Sequence, residues 1–260
     1  MKCSVSSVRF VLALVAIAGM SAAVADEPIP ITADEAFDAV QMQAMPITGD
    51  PDSARVALVD VRDPLEYFSS GAPAKVTKLV LKGTDGSTVE IAPYAGKVRL
   101  LPGGESLQYY LDADNWEADN WQTVRVADVS SLSVDAIAIN VPFWRRTESG
   151  WKDNAKNFYP VIKRLARDYD VLILYCRTGG RSSLAGEGVI ERGLFDAQDV
   201  YEIDDPKNGK ASRGGFSGST YANVYNGHAG FPGRPTAQGP ISWMDSGLPI
   251  VTAKTPLPMP

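Results

Sequence analysis

The sequence predicts an α/β fold: a parallel sheet flanked by helices, carrying a β-rich insertion and a long Gly/Tyr-rich loop. Three observations predict it. Two short runs, "VALVDV" (56–61) and "VLILY" (171–175), are apolar almost throughout rather than alternating, as strands buried on both faces of a parallel sheet are. These runs are interleaved with stretches of helical periodicity, the signature of strand–helix–strand units. Between them, residues 75–134 change to period-two alternation punctuated by turn residues, which reads as antiparallel hairpins.

The chain opens on a segment set apart from the rest. Lys2 and Arg9 make a short positive region, "FVLALVAIAGM" (10–20) is an apolar run, and Ala23-Val24-Ala25 supplies the small–x–small pattern of a cleavage site. Residues 1–25 therefore read as a secretory signal peptide, with an uncleaved anchor as the alternative; the run is short of the roughly 20 apolar residues a membrane-spanning helix needs. Removal of Lys2 and Arg9 takes the net charge from −6 to −8. It leaves 26–260 as a single domain, periplasmic or secreted, with no stable membrane insertion.

A Pro-rich lead from residue 26 gives way to a helix up to about 40, capped by Thr32 or Asp34 with Glu35 in its first turn. A strand follows at Val56–Val61. "KVTKLVLKGTDGSTVEIAP" alternates about an Asp85-Gly86 pair and reads as a β-hairpin, and "GKVRLLP" and "WQTVRVADV" read as further strands. Asp-Asn-Trp occurs twice, at 114–116 and 119–121, but two copies are too few for a repeat array.

"DAIAINVPF" (135–143) is another strand. Residues 153–170 are helical, with Phe158, Ile162, Leu165, Ala166 and Tyr169 on one stripe and Pro160 in the first turns. A helix is expected over 181–193, with Leu184, Ala185, Gly188 and Val189 inward and Gly193 as its stop. "DVYEI" (199–203) is the last strand, and 240–251 a short closing helix and tail. The stretch 205–239 is rich in Gly, Asn and Tyr and poor in aliphatics, a long loop of the kind that in compact domains is usually functional or disordered.

Composition excludes some function classes. The chain has 260 residues, 45% hydrophobic and 22% charged, with a net charge of −6. That is a globular composition with no basic surplus for nucleic acid or for an anionic membrane surface. Of two cysteines, Cys3 lies in the predicted signal peptide, so Cys176 is the single cysteine of the mature chain and no internal disulfide forms.

Cys176 opens the stretch "CRTGGRS" (176–182), between a buried strand and a helix. In parallel sheets, ligands bind beyond the carboxyl ends of the strands. A helix starting just after the loop leaves backbone N–H groups free to point into it. Gly179 and Gly180 allow positive φ and close backbone approach, and Arg177 and Arg181 add positive charge. Such a nest binds an anion and acidifies a thiol, making Cys176 a nucleophile. His228, the only histidine, is far away in sequence.

The stretch resembles the active-site loop of rhodanese-type sulfurtransferases: Cys, four residues, then Arg-Ser. Three further stretches are similar to that family and come in its order: "LVDVRDPLEY" (58–67), "AINVPF" (138–143) and "WMDSGLP" (243–249). The resemblance covers about 55–62, 135–203 and 240–250. It implies that Cys176 takes the outer sulfur of an anionic donor such as thiosulfate as a persulfide. The persulfide would be cradled by Arg177, Thr178, Gly179, Gly180, Arg181 and Ser182, and passed to cyanide or a thiol. It implies no cofactor and no metal. Arg181 would hold the donor or, alternatively, bond a backbone carbonyl and shape the loop. The family's counterparts of Asp60 and Arg62 are mostly structural, and Trp144-Arg145-Arg146 reads as a solvated basic turn or as extra charge near the entrance.

Two alternatives stand beside this reading. One is a non-catalytic module that binds a protein partner or senses anions. The other is a cysteine phosphatase or arsenate reductase, whose loops place five residues rather than four between Cys and Arg. The chain departs from the family in two insertions, 75–134 and 205–239, the second a lid, an acceptor-docking surface or a packed surface loop. Either insertion could meet a protein partner.

Overall fold

Five parallel strands run through the centre of the computed structural model, which describes residues 27–43, 54–110, 121–203, 243–244 and 246–252. The first half of the chain supplies β1 (Ile29–Ile31), α1 (Ala33–Met42), β2 (Val56–Asp60), α2 (Pro64–Ser70), β3 (Ala72–Lys82), β4 (Thr88–Ile91), β5 (Val98–Leu100) and β6 (Ser106–Tyr110). The second half supplies β7 (Trp121–Arg125), β8 (Val129–Ala136), β9 (Ala138–Asn140), β10 (Trp144–Thr147), β11 (Gly150–Asp153), α3 (Ala155–Asp168), β12 (Val171–Tyr175), α4 (Gly180–Glu191), β13 (Val200–Ile203) and β14 (Ile250–Val251). The predicted signal peptide and the Gly/Tyr-rich loop lie outside the described residues.

The central sheet has the order β1-β13-β12-β2-β9, with every neighbouring pair parallel. Alternate residues of β2 and β12 feed two cores. Val56, Leu58, Ile173 and Tyr175 pack with Phe37 of α1 and Trp243 on one face. Ala57, Val59, Leu172 and Leu174 pack with Phe158 and Ile162 of α3 and Ala185 and Val189 of α4 on the other. Burial on both faces is why these strands read as continuous apolar runs.

The Pro-rich lead hides a strand. Pro30 stands in β1 at the edge of the sheet, where its missing N–H is tolerated. Thr32 then caps α1: its hydroxyl accepts from the Glu35 amide at 3.3 Å while the Glu35 carboxylate accepts from the Thr32 amide at 2.7 Å. A second capping box starts α2, a helix the sequence reading passed over, with Asp63 as N-cap, Pro64 in the first turn and Glu66 at the third position.

In α3, Pro160 lies past the first turn, beyond the tolerated positions expected from the sequence. One backbone hydrogen bond, to the Lys156 carbonyl, is absent there. In α4, Ala185 and Val189 are fully buried but Leu184 is 47% exposed, against expectation. Successive helical residues are about 100° apart, so Leu184 falls off the stripe that Ala185 and Val189 define. Gly193, at φ 57°, ends the helix as expected, with its amide bonded to the Ile190 carbonyl.

The insertion is β-rich. β3 pairs antiparallel with β4 across the Asp85-Gly86 turn and with β8 on its other edge, and β5-β6-β7 form a second antiparallel sheet. Val76, Leu79, Val98, Leu107 and Tyr109 give these strands a small core of their own. Lys97 ties them to α1 through Asp38 at 2.6 Å. The closing segment is a pair of turns and the strand β14, which pairs antiparallel with β3, rather than the expected helix. Gly247, at φ 67°, and Pro249 break the helical path. Among the described residues, no helix is long and apolar enough to cross a membrane.

Candidate functional site

β2 and β12 are neighbours, with Asp60 opposite Tyr175 at their carboxyl ends. After β2 the chain moves to β9 on one side, and after β12 it passes through α4 to β13 on the other. Connections leaving adjacent parallel strands in opposite directions open a crevice between them. Cys176 is the first residue beyond β12, and Val61 and Arg62 follow β2; the Val61 amide bonds the Tyr175 carbonyl at 3.0 Å and joins the two rims.

The loop from Cys176 to Ser182 is tight. Gly179, at φ 96°, is the N-cap of α4 and provides no side-chain cap, so the first amides of this 12-residue helix are left to other acceptors. The positive φ expected of both glycines is confined to Gly179, because Gly180 is already helical. The Ser182 hydroxyl lies 2.6 Å from the Gly179 carbonyl and 3.6 Å from Cys176 Sγ. It has one proton for these two acceptors, and the shorter bond to the carbonyl is the stronger. Cys176 is 1% exposed and belongs to the core that packs against α4. Arg177 and Thr178 are half-buried at the rim.

Arg181 meets a partner that the sequence reading did not name. Its guanidinium forms a bidentate pair with the Glu66 carboxylate, at 2.6 and 2.8 Å, and lies 5.1 Å from the centre of the Trp151 ring. Burial alone would raise the Glu66 carboxyl, but the hydrogen bonds and charge of Arg181 outweigh it and hold Glu66 below its ordinary value. Burial alone would likewise lower Arg181. The hydrogen bonds and charge of Glu66 outweigh this and hold it above the usual arginine range.

Asp60 and Arg62 form a second, fully buried pair at 2.6 Å. The same guanidinium donates to the Gly71 carbonyl at 2.7 Å and to the Ser70 hydroxyl at 3.1 Å, and lies over the Tyr175 ring. This pair braces the end of β2 beside the loop. Burial, and after it the Asp60 carboxylate, pushes the Tyr175 hydroxyl well above the ordinary tyrosine value, so it stays protonated.

Trp144-Arg145-Arg146 is a strand, not a turn: β10 pairs with β11 as a hairpin beside the site. The Arg146 amide donates to Asp63 at 2.7 Å, which fixes the hairpin to the start of α2. Between the hairpin, α3 and α4 lies an open groove of about 460 Å³. Phe143, Trp144, Trp151, Tyr159 and Leu184 supply its apolar wall, while Asp153, Glu187 and Glu191 set three carboxylates against the single guanidinium of Arg192. Trp151 is shared between this groove and Arg181.

The fold thus gathers Cys176, Gly179, Arg181 and Ser182 at one strand end, with Arg177 and Thr178 on the rim. Sequence reasoning missed Glu66 and Trp151. The capping-box spacing in "DPLE" was the available signal for Glu66, while an exposed Trp in a short hairpin gave none for Trp151. His228 lies outside the described residues, and among the described residues no group of three or more His, Cys, Asp or Glu could hold a metal ion. Compared with known proteins, the chain matches no family model, no curated protein and no solved structure at a significant level.

Proposed function

We propose that the protein is an exported sulfurtransferase of rhodanese type, which carries sulfane sulfur on Cys176 as a persulfide. The observation that carries this reading is the position of Cys176 Sγ. It lies at a strand end in the crevice of a parallel sheet, at the uncapped N-terminus of α4 and 3.6 Å from the Ser182 hydroxyl. An anionic sulfur there is favoured by the helix dipole and by amides that have no side-chain partner.

The chemistry follows from those groups. The Cys176 thiolate attacks the outer sulfur of a donor and forms an S–S bond as the donor's own bond to that sulfur breaks. The terminal sulfur of the persulfide is an anion that the first-turn amides of α4 can stabilise. A cyanide or thiol acceptor then removes it and restores the thiolate. Four residues between Cys176 and Arg181 leave room for a sulfur atom rather than for the tetrahedral phosphate of a phosphatase. Export rests on the sequence of residues 1–25.

The near-complete burial of Cys176 supports a second reading, a non-catalytic module of the same fold that docks a partner or senses an anion. Intact mass separates the two. After incubation with a sulfane donor, the mature wild-type protein is expected to gain the mass of one sulfur atom, to lose it on addition of cyanide, and to show no gain as Cys176→Ser. A wild-type mass unchanged by thiosulfate and by organic persulfides alike would rule out the transferase and leave the binding module.

A further inference from the structure

We infer that the sulfur donor is an organic persulfide rather than thiosulfate, with its carbon body lying against Trp151 and Leu184; this rests on the sulfurtransferase reading. Two independent features point there, one of charge and one of shape.

The first is the pairing of Arg181. A dianion such as thiosulfate must approach a thiolate, and that approach needs free positive charge. Two guanidinium groups of the site are already engaged by carboxylates, Arg181 by Glu66 at 2.6 and 2.8 Å and Arg62 by Asp60 at 2.6 Å. Trp151 further covers the Arg181 guanidinium.

The second is the groove. It begins one helical turn from Arg181, about 5 Å along α4, where Leu184 is 47% and Trp151 48% exposed. Large apolar side chains bared beside a reactive centre mark a surface meant to be covered. Its volume, about 460 Å³, is that of a small-molecule site. Thiosulfate would leave it empty. Three carboxylates to one guanidinium, that of Arg192, which already stacks 3.9 Å from the Tyr159 ring, favour a body that is neutral or carries an ammonium group.

The transfer balances without an added oxidant. The Cys176 thiolate attacks the outer sulfur of R–S–SH and forms the new S–S bond. The bond between the donor's two sulfurs breaks, and R–S⁻ leaves with the electron pair. It takes up the proton given up by the outer sulfur and departs as R–SH, leaving Cys176 with an anionic terminal sulfur.

The test compares rates of sulfur loading, by intact mass, from cysteamine persulfide and from thiosulfate. Wild type is expected to load from cysteamine persulfide about tenfold faster, the order expected when one nearby charge is neutralised. Glu66→Gln removes that neutralising charge and should speed thiosulfate loading about tenfold. Leu184→Gln, at an exposed position, tests the groove without touching the ion pair. It should slow cysteamine persulfide several-fold and leave thiosulfate unchanged. Faster loading from thiosulfate in wild type, or a donor ratio unmoved by both variants, overturns the inference. Loading from neither donor by wild type overturns the transferase reading itself.

Discussion

Arg62 and Asp60 form an ion pair at 2.6 Å with essentially no exposure of either side chain, at the end of β2 and beside the strand that leads to Cys176. Two charges out of water persist only because each is satisfied several times over. Asp60 accepts from the backbone amide of Arg62 as well as from its guanidinium, and Arg62 reaches on to Gly71 and Ser70. The pair thereby pins the β2 end to the turn that starts β3.

Removing one partner leaves the other charged and buried. Arg62→Met is therefore expected to lower unfolding stability by about 3–5 kcal/mol, the usual cost of an orphaned buried charge. Urea unfolding at neutral pH checks this. Adding Asp60→Asn to Arg62→Met should recover part of the loss, because it removes the orphan. A loss below about 1 kcal/mol for the single variant would mean the pair is not a brace.

Glu66 gives a pH dependence with a definite sign. Arg181 holds its carboxyl below the ordinary value of 4.5, despite burial pulling the other way. The unfolded chain therefore takes up this proton at a higher pH than the folded chain does. The pairing stabilises the fold fully above the ordinary glutamate value, and that contribution is lost as pH falls through the depressed one. Wild type is expected to be more stable than Glu66→Gln at about pH 7, and the gap to be narrower at about pH 3, below the ordinary glutamate value. Urea midpoints at the two pH values measure the difference; a gap that is unchanged or wider in acid contradicts the pairing.

How much of this was legible in the sequence depended on how local each feature is. β12, the Cys176 loop and α4 were readable because strand, loop and helix are contiguous and each carries its own signal: an apolar run, paired glycines, a buried stripe. The hairpin at Asp85-Gly86 was readable for the same reason. β1 was hidden by Pro28 and Pro30, which argue against a strand except at the edge of a sheet, and edge position is a property of topology. The Glu66–Arg181 pair joins residues 115 apart, and nothing near either one points to the other. Leu184 was misread because a helix with glycines at 186 and 188 has a weak apolar stripe, leaving the large side chain as a false marker of the buried face.

The last prediction concerns Pro160, which α3 carries past its first turn. The proline removes one helical hydrogen bond and crowds the carbonyl four residues earlier, a cost of about 3 kcal/mol against alanine in a helix interior. It repays part of that by stiffening the unfolded chain, worth about 0.4–1 kcal/mol. The residue is exposed, so replacing it opens no cavity. The helix term is the larger, and Pro160→Ala is expected to stabilise the protein by about 2 kcal/mol. Phe158 and Ile162 hold the buried side of α3 in either case, so sulfur loading at Cys176 should not change. Thermal or urea unfolding of the variant decides it: a midpoint at or below that of wild type would mean that a distortion at Pro160 is needed to seat Tyr159 against Arg192 and the groove wall.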